Sequence, residues 1–224
     1  MALPEYEKIA NSPRNSGSAA PLNIPLVEET AATSEVAALY HHFRTHFGRP
    51  DVPGILKCFA THPPLLNHMM ALSESLIFAE GALGRKHKEM IATLVSAQNA
   101  CPYCVDSHSY FLRVHGGSSL ALADLHAGNL DSPELTPAEQ ALLKFACKVN
   151  AASHQINRAD VDVLISAGFS ELQIAEAVHV AALFATFNRV ANAFGLQSQQ
   201  LLALYDSDAV ASPSIDARDE RTAP

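Results

Sequence analysis

Between Glu28 and Tyr205 the apolar residues recur at spacings of three and four, the period of one face of an α-helix. No run alternates apolar and polar residues as a half-buried strand would, so the pattern predicts an all-α fold. The clearest start is Thr136-Pro137-Ala138-Glu139, a capping box with proline in the first turn, followed by apolar Ala141, Leu142, Phe145, Ala146 and Val149. Arg158 to Ala167 reads as a second helix, with Val161, Leu164 and Ile165 on one face and Gly168 as its stop. A third is capped by Ser170, with Gln173 completing the box. Its broad stripe of Ile174, Ala177, Val178, Ala181, Phe184 and Ala185 predicts a place at the centre or at a subunit interface.

In the first half, helical spacing covers Ser34 to Phe47, Pro64 to Ala79 and Lys86 to about Asn99, and Gly48, Pro50, Pro53 and Gly54 mark the main early loop. The next helix begins at Cys101-Pro102 and stops at Gly116-Gly117. The ends differ. Residues 1–27 and 206–224 are rich in Pro, Ser and Asn or in scattered charge, with little to bury, which predicts disordered or extended segments flanking one helical domain at 28–205.

Composition narrows the function. With 48% hydrophobic residues the 224-residue chain can bury one sizeable core. A net charge of -8 argues against nucleic acid or an anionic membrane as partner, leaving a small molecule or another protein. Residues 1–15 have no apolar core of a secretory signal, and the stretch 175–185 carries Glu176 and His179 and is shorter than the roughly 20 residues a span needs. A cytoplasmic protein is therefore expected. The cysteines agree: Cys101 and Cys104 form a CxxC, while Cys58 and Cys147 stand alone and read as core fillers.

Pro102 places Cys101 at or beside the helix N-cap and Cys104 in the first turn, where unpaired N–H groups favour an anion and can lower a thiol pKa below about 8.5. Cys101, Cys104 and His108, three and four residues apart, share one face, so the imidazole is within reach of the second sulfur. A dithiol beside a titratable ring suits reductive cleavage of an O–O bond. One thiolate attacks oxygen, the leaving alkoxide is protonated, and the second thiol condenses the sulfenic acid. The rival zinc reading needs His115, which lies 14 residues beyond Cys101 and about 21 Å along one helix, too far for one ion. No metal and no cofactor is expected. His41, His42 and His46 read as a polar face, and His179 as a core histidine or a pocket residue.

The stretch from Lys88-Glu89 through Ser96 to Cys101-Pro102-Tyr103-Cys104 and His108, ending at Leu112-Arg113 and Gly116, resembles the AhpD-like alkylhydroperoxidase core of the carboxymuconolactone decarboxylase superfamily. The shared motif is a Glu twelve residues before a CxxC and a His four after it. With His62-Pro63 to Leu76, Ala141 to Lys148 and Phe187 to Ala191, the resemblance extends to the peroxidase-related branch over about residues 35–197. It implies an AhpD-like helical bundle assembled as trimers or hexamers, a cytoplasmic thiol-dependent peroxidase, an organic hydroperoxide substrate, and a thiol or dithiol reductant that can be a protein. By matched position it implies that Cys104 attacks, Cys101 resolves, and His108 with Glu89 relays protons. Dipole reasoning pulls the other way, giving the lower pKa to Cys101. One departure is Tyr103, where peroxidases of this type tend to carry a histidine. The alternatives are a lactone decarboxylase-like lyase, whose branches generally lack the CxxC, and a non-catalytic, redox-sensing assembly protein.

Overall fold

The computed structural model describes residues 21–205, and every regular element among them is helical. After a 3-10 turn at Glu29–Ala31, α1 runs over Ser34–Phe47, its N-cap Thr33 accepting a hydrogen bond from Val36 N and Gly48 ending it at φ 69°. Such a φ is strained for residues with a Cβ, which is why glycine stands there. α2 (Gly54–Phe59) occupies part of what the sequence marked as loop: Pro53 is its extended N-cap and the helix lasts only six residues. α3 (Pro63–Ser73) continues into a π-helical turn, Glu74–Phe78, in which Ala79 N bonds to Glu74 O at 2.8 Å.

α4 (Arg85–Gln98) and α5 (Pro102–Val114) follow, and then α6 (Ser119–Ala127), capped by Ser118, which the periodicity had not indicated. The two boxes expected from the sequence form at both ends of their hydrogen bonds, opening α7 (Pro137–Ala152) and α9 (Glu171–Phe194). Asn157 and Asp160 make a third box ahead of α8 (Arg158–Ser166). Beyond Gly195 the chain crosses back over the bundle and turns helical again at 201–205.

α4 is the axis of the fold. It packs against α5, α6, α7 and α9, so Lys88 through Ser96 are buried in unbroken succession. A helix enclosed on all sides must bury its polar residues as well as its apolar ones, and each of those then needs a partner. Lys88 and Glu89 are therefore enclosed, although the charged run Arg85-Lys86-His87 precedes them. The main core joins Ile91, Ala92 and Val95 of α4 to Leu142 and Ala146 of α7 and to Ala177, Val180, Ala181 and Phe184 of α9. A second core lies under α1, α2, α3 and the C-terminal half of α5.

α9 is central, as its stripe predicted. By length and composition alone it could also cross a membrane, because the apolar stretch extends well past 175–185. Its buried face accounts for that apolarity, and Leu172 at its start is 74% exposed. The expected disorder at residues 1–20 and 206–224 lies outside the described residues.

Candidate active site

The site is built where α4 hands over to α5. Ala100 turns the chain at φ 49°, a left-handed conformation that costs a residue with a Cβ about 1–2 kcal/mol. Cys101 N then returns to Ser96 O at 3.0 Å, and Cys101 sits extended at the N-cap with Pro102 in the first turn. Both site cysteines are buried free thiols, packed in one cluster with Cys58, Tyr103, Ala191 and Leu196. Cys101 Sγ accepts a hydrogen bond from Cys104 N at 3.4 Å.

The two thiols are hydrogen-bonded to each other. Cys104's thiol donates its hydrogen to Cys101, and this lowers the Cys101 pKa against the opposing effect of burial, helped by the Cys104 N–H and the Asn188 amide. The same bond, followed by burial, pushes Cys104 above the ordinary thiol range. Of the two thiols Cys101 is therefore the more readily ionised. Asn188, fully buried beside both sulfurs, is fixed by donating to Ser96 Oγ at 2.9 Å and accepting from Asn99 Nδ2 at 3.0 Å.

One turn on, His108 Nδ1 meets Glu89 Oε2 at 2.7 Å, and Arg85 Nε donates to Glu89 Oε1 at 2.7 Å. Glu89 has no solvent exposure. Burial opposes its charge, but the facing His108 and Arg85 outweigh it and hold the carboxyl below the usual carboxylate range. An ionised carboxylate only accepts, so Nδ1 carries a hydrogen and donates it to Glu89. The imidazole stands edge-on to Phe184 at 4.3 Å, and the Arg85 guanidinium lies 4.7 Å over Phe78. The expected contact between His108 and Cys104 is not a hydrogen bond here, since the ring is drawn to Glu89 and the thiol hydrogen to Cys101.

His108 forms part of the wall of a cavity of about 110 Å³. Six of the chain's ten phenylalanines line it, among them Phe78, Phe111 and Phe184, together with Tyr103 and Ser107 from α5. Neither sulfur is in that wall, although Cys104 lies on α5 between Tyr103 and Ser107. Tyr103, between the two cysteines, is fully committed: it is buried and its hydroxyl accepts from Ile55 N at 3.3 Å.

Arg85 and Asn188 were not singled out from the sequence. Arg85 carried a usable signal, since it stands four residues before Glu89 on one helix. Asn188 carried none, because its partners come from α4. Of the remaining candidates, Cys58 is buried and pushed up to about 12 by that burial, and half-buried Cys147 accepts from Gln98 Nε2 at 2.9 Å. His179 is exposed and outside the cavity, contrary to both readings offered for it. His41 and His42 are exposed, as is His46, which pairs with Glu74 at 3.1 Å. Cys101 and His115 stand at opposite ends of α5, and among the described residues no three His, Cys, Asp or Glu side chains converge as metal ligands would.

Residues 63–148, which span α3 to most of α7 and hold Glu89, both site cysteines and His108, match the carboxymuconolactone decarboxylase family. An alkyl hydroperoxide reductase of Mycobacterium tuberculosis is 35% identical over 104 residues, which are 46% of this chain and 29% of that protein. The chain thus spans under a third of that relative's length. A peroxidase-related protein with an alkylhydroperoxidase AhpD core from Ralstonia eutropha JMP134 superposes with a TM-score of 0.73 at 27% identity, covering 83% of this chain and 96% of its own. The debrominase Bmp8 shares the fold at 18% identity and a TM-score of 0.63, covering 81% of this chain and 95% of its own.

Proposed function

The chain belongs to the AhpD-like carboxymuconolactone decarboxylase superfamily, whose members include enzymes, and from that premise we propose that it is a thiol-dependent peroxidase that reduces organic hydroperoxides through the Cys101–Cys104 pair. The observation that carries the reading is a hydrogen-bonded dithiol one helical turn from an Arg85–Glu89–His108 chain that ends at an apolar cavity. The proton of Cys104 shifts to Cys101 along their shared bond, leaving the thiolate on the sulfur nearer His108. That thiolate attacks the terminal oxygen of the hydroperoxide, the O–O bond breaks, and the departing alkoxide takes from His108 Nε2 the proton that the thiol pair gave to the imidazole on ionising. Cys104 is then a sulfenic acid. The Cys101 thiol attacks its sulfur and releases water, closing the disulfide.

The sum is one hydroperoxide and two thiols giving an alcohol, water and a disulfide. An external thiol or dithiol, free or on a protein partner, restores the pair by exchange. A cycle that starts from reduced thiols suits the cytoplasm. Exposed Leu172 on α9 and Val163 on α8 support assembly into a homo-oligomer through that face.

The absence of both sulfurs from the cavity wall favours one second reading, acid–base chemistry by His108 of the lactone-decarboxylase kind. Single-turnover mixing with cumene hydroperoxide separates the two. In the peroxidase reading two thiols per chain are lost, Cys104→Ser consumes no peroxide, and Cys101→Ser completes one attack and leaves a sulfenic acid that dimedone captures. A burst that survives Cys104→Ser and vanishes in Cys101→Ser reverses the two sulfur roles. Retention in both single variants and their double sinks the thiol mechanism.

A further inference from the structure

α5 carries a second set of groups that the redox chemistry does not use. Between Cys104 and His108 lie Asp106 and Ser107, and both hold the segment that returns after α9. Asp106 Oδ2 and Oδ1 accept from Leu201 N at 3.0 Å and Leu202 N at 3.1 Å, so one carboxylate caps the helical turn at 201–205. An anion bonded to the free N–H groups at a helix start is a favourable anchor. Gln199 Nε2 donates to Ser107 Oγ at 3.4 Å, and Leu201 is buried in the second core. At the far end the Arg113 guanidinium lies 4.9 Å over the Tyr205 ring.

This strap bounds the cavity. Gln199 and Leu201 form part of its lining, opposite rings from α1, the π-turn and α9. The enclosed space, about 110 Å³, suits one ring or a short branched alkyl group, on the scale of the apolar cavities of about 150 Å³ that hold benzene. Its one permanently charged wall group, Arg49, is already paired with Asp51 at 2.9 Å, and no carboxylate lines it. With the strap down, a long chain cannot be housed within this volume and must run out through its open side.

We propose that residues 196–205, latched on Asp106, are the specificity-determining wall of the site and restrict it to compact, uncharged aryl or branched-alkyl groups. This deepens the peroxidase reading and rests on it for the identity of the reacting group, though not for the size limit. Because the latch and the two reacting groups alternate along one helix, admission and chemistry are held in one rigid register.

The test measures binding without chemistry alongside turnover. Cumyl alcohol and octanol are titrated by calorimetry or NMR into the full-length wild type, Leu201→Ala, Gln199→Ala and Asp106→Asn, and the corresponding hydroperoxides are used for rates. Wild type prefers the cumyl compound, and Leu201→Ala narrows that preference by about tenfold, the size expected from removing a buried leucine side chain. Gln199→Ala and Asp106→Asn shift it in the same direction by smaller factors. Should Leu201→Ala fail to fold, half-exposed Gln199 still supplies the answer. An unchanged size preference in every folded variant, or no binding of either alcohol, overturns the proposal. Binding that follows the stated order with no hydroperoxide consumed upholds the wall and sinks the peroxidase reading. Peroxide consumption with one size order in all variants does the reverse.

Discussion

Arg85 and Lys88 lie one turn apart on α4, and each holds a largely buried carboxylate. Lys88, 1% exposed, meets Glu176 of α9 at 2.7 Å, and the other Glu176 oxygen accepts from Leu83 N at 2.6 Å. Gly81 makes the room, since a Cβ there would lie 2.1 Å from Glu176 Oε1. Every member of that cluster has a fixed role and none faces the cavity. Arg85 instead holds Glu89, and Glu89 holds His108, whose second nitrogen remains available at the cavity wall. The two clusters share burial, charge and helix, yet only one ends in an imidazole at the cavity wall. Buried charge by itself marks structure. A titratable end on a cavity marks chemistry.

The comparison breaks most visibly at His108. His108→Ala is expected to slow single-turnover peroxide reduction by about 10²–10⁴-fold, the range for positioned acid–base groups. A rate within threefold of wild type would place His108 outside the reaction. Lys88→Met is the counterpart: it strands Glu176 and is expected to lower unfolding free energy by about 3–5 kcal/mol in denaturant titrations. Its peroxide rate per folded molecule stays at the wild-type level. A stable but inactive Lys88→Met would erase the distinction between the clusters.

The smallest effect concerns acid. Burial opposes both Glu89 and Glu176, but their partners outweigh it and depress both carboxyls. A depressed carboxylate adds stability above its unfolded pKa and loses it as the pH falls through the lower folded value. Glu89→Gln and Glu176→Gln should therefore each flatten the fall in stability between about pH 7 and pH 3, measured by chemical unfolding at each pH. Only Glu89→Gln should also change the pH dependence of the rate.

What the sequence made legible was local. The boxes at Thr136–Glu139 and Ser170–Gln173 involve residues three apart, so their chemistry is written in the chain itself. The common face of Cys101, Cys104 and His108 is equally a matter of spacing. Burial of Glu89 was not legible, because it depends on four other helices closing around α4; the resemblance pointed to the residue's role, not to its enclosure. α6 escaped notice because apolar residues surround it, with Ala121, Leu122 and Leu125 buried and Leu120 exposed, leaving no clear stripe. Spacing within α5 likewise turned the His108 ring toward Cys104, and only the resemblance named the carboxylate 19 residues earlier that wins the hydrogen bond.

The π-turn at Glu74–Phe78 contains one residue more than an α-helix would spend on the same rise. Ile77 and Phe78, at its end, both face the cavity. Rewinding the turn as ordinary α-helix with no residue removed would swing everything after it by about 100° about the axis. Phe78 would leave the wall, and the Arg85 guanidinium would lose the ring it covers. At this point the shape of the site is set by how many residues the segment spends on one turn, so a change of winding alone can remake it while every side chain keeps its identity.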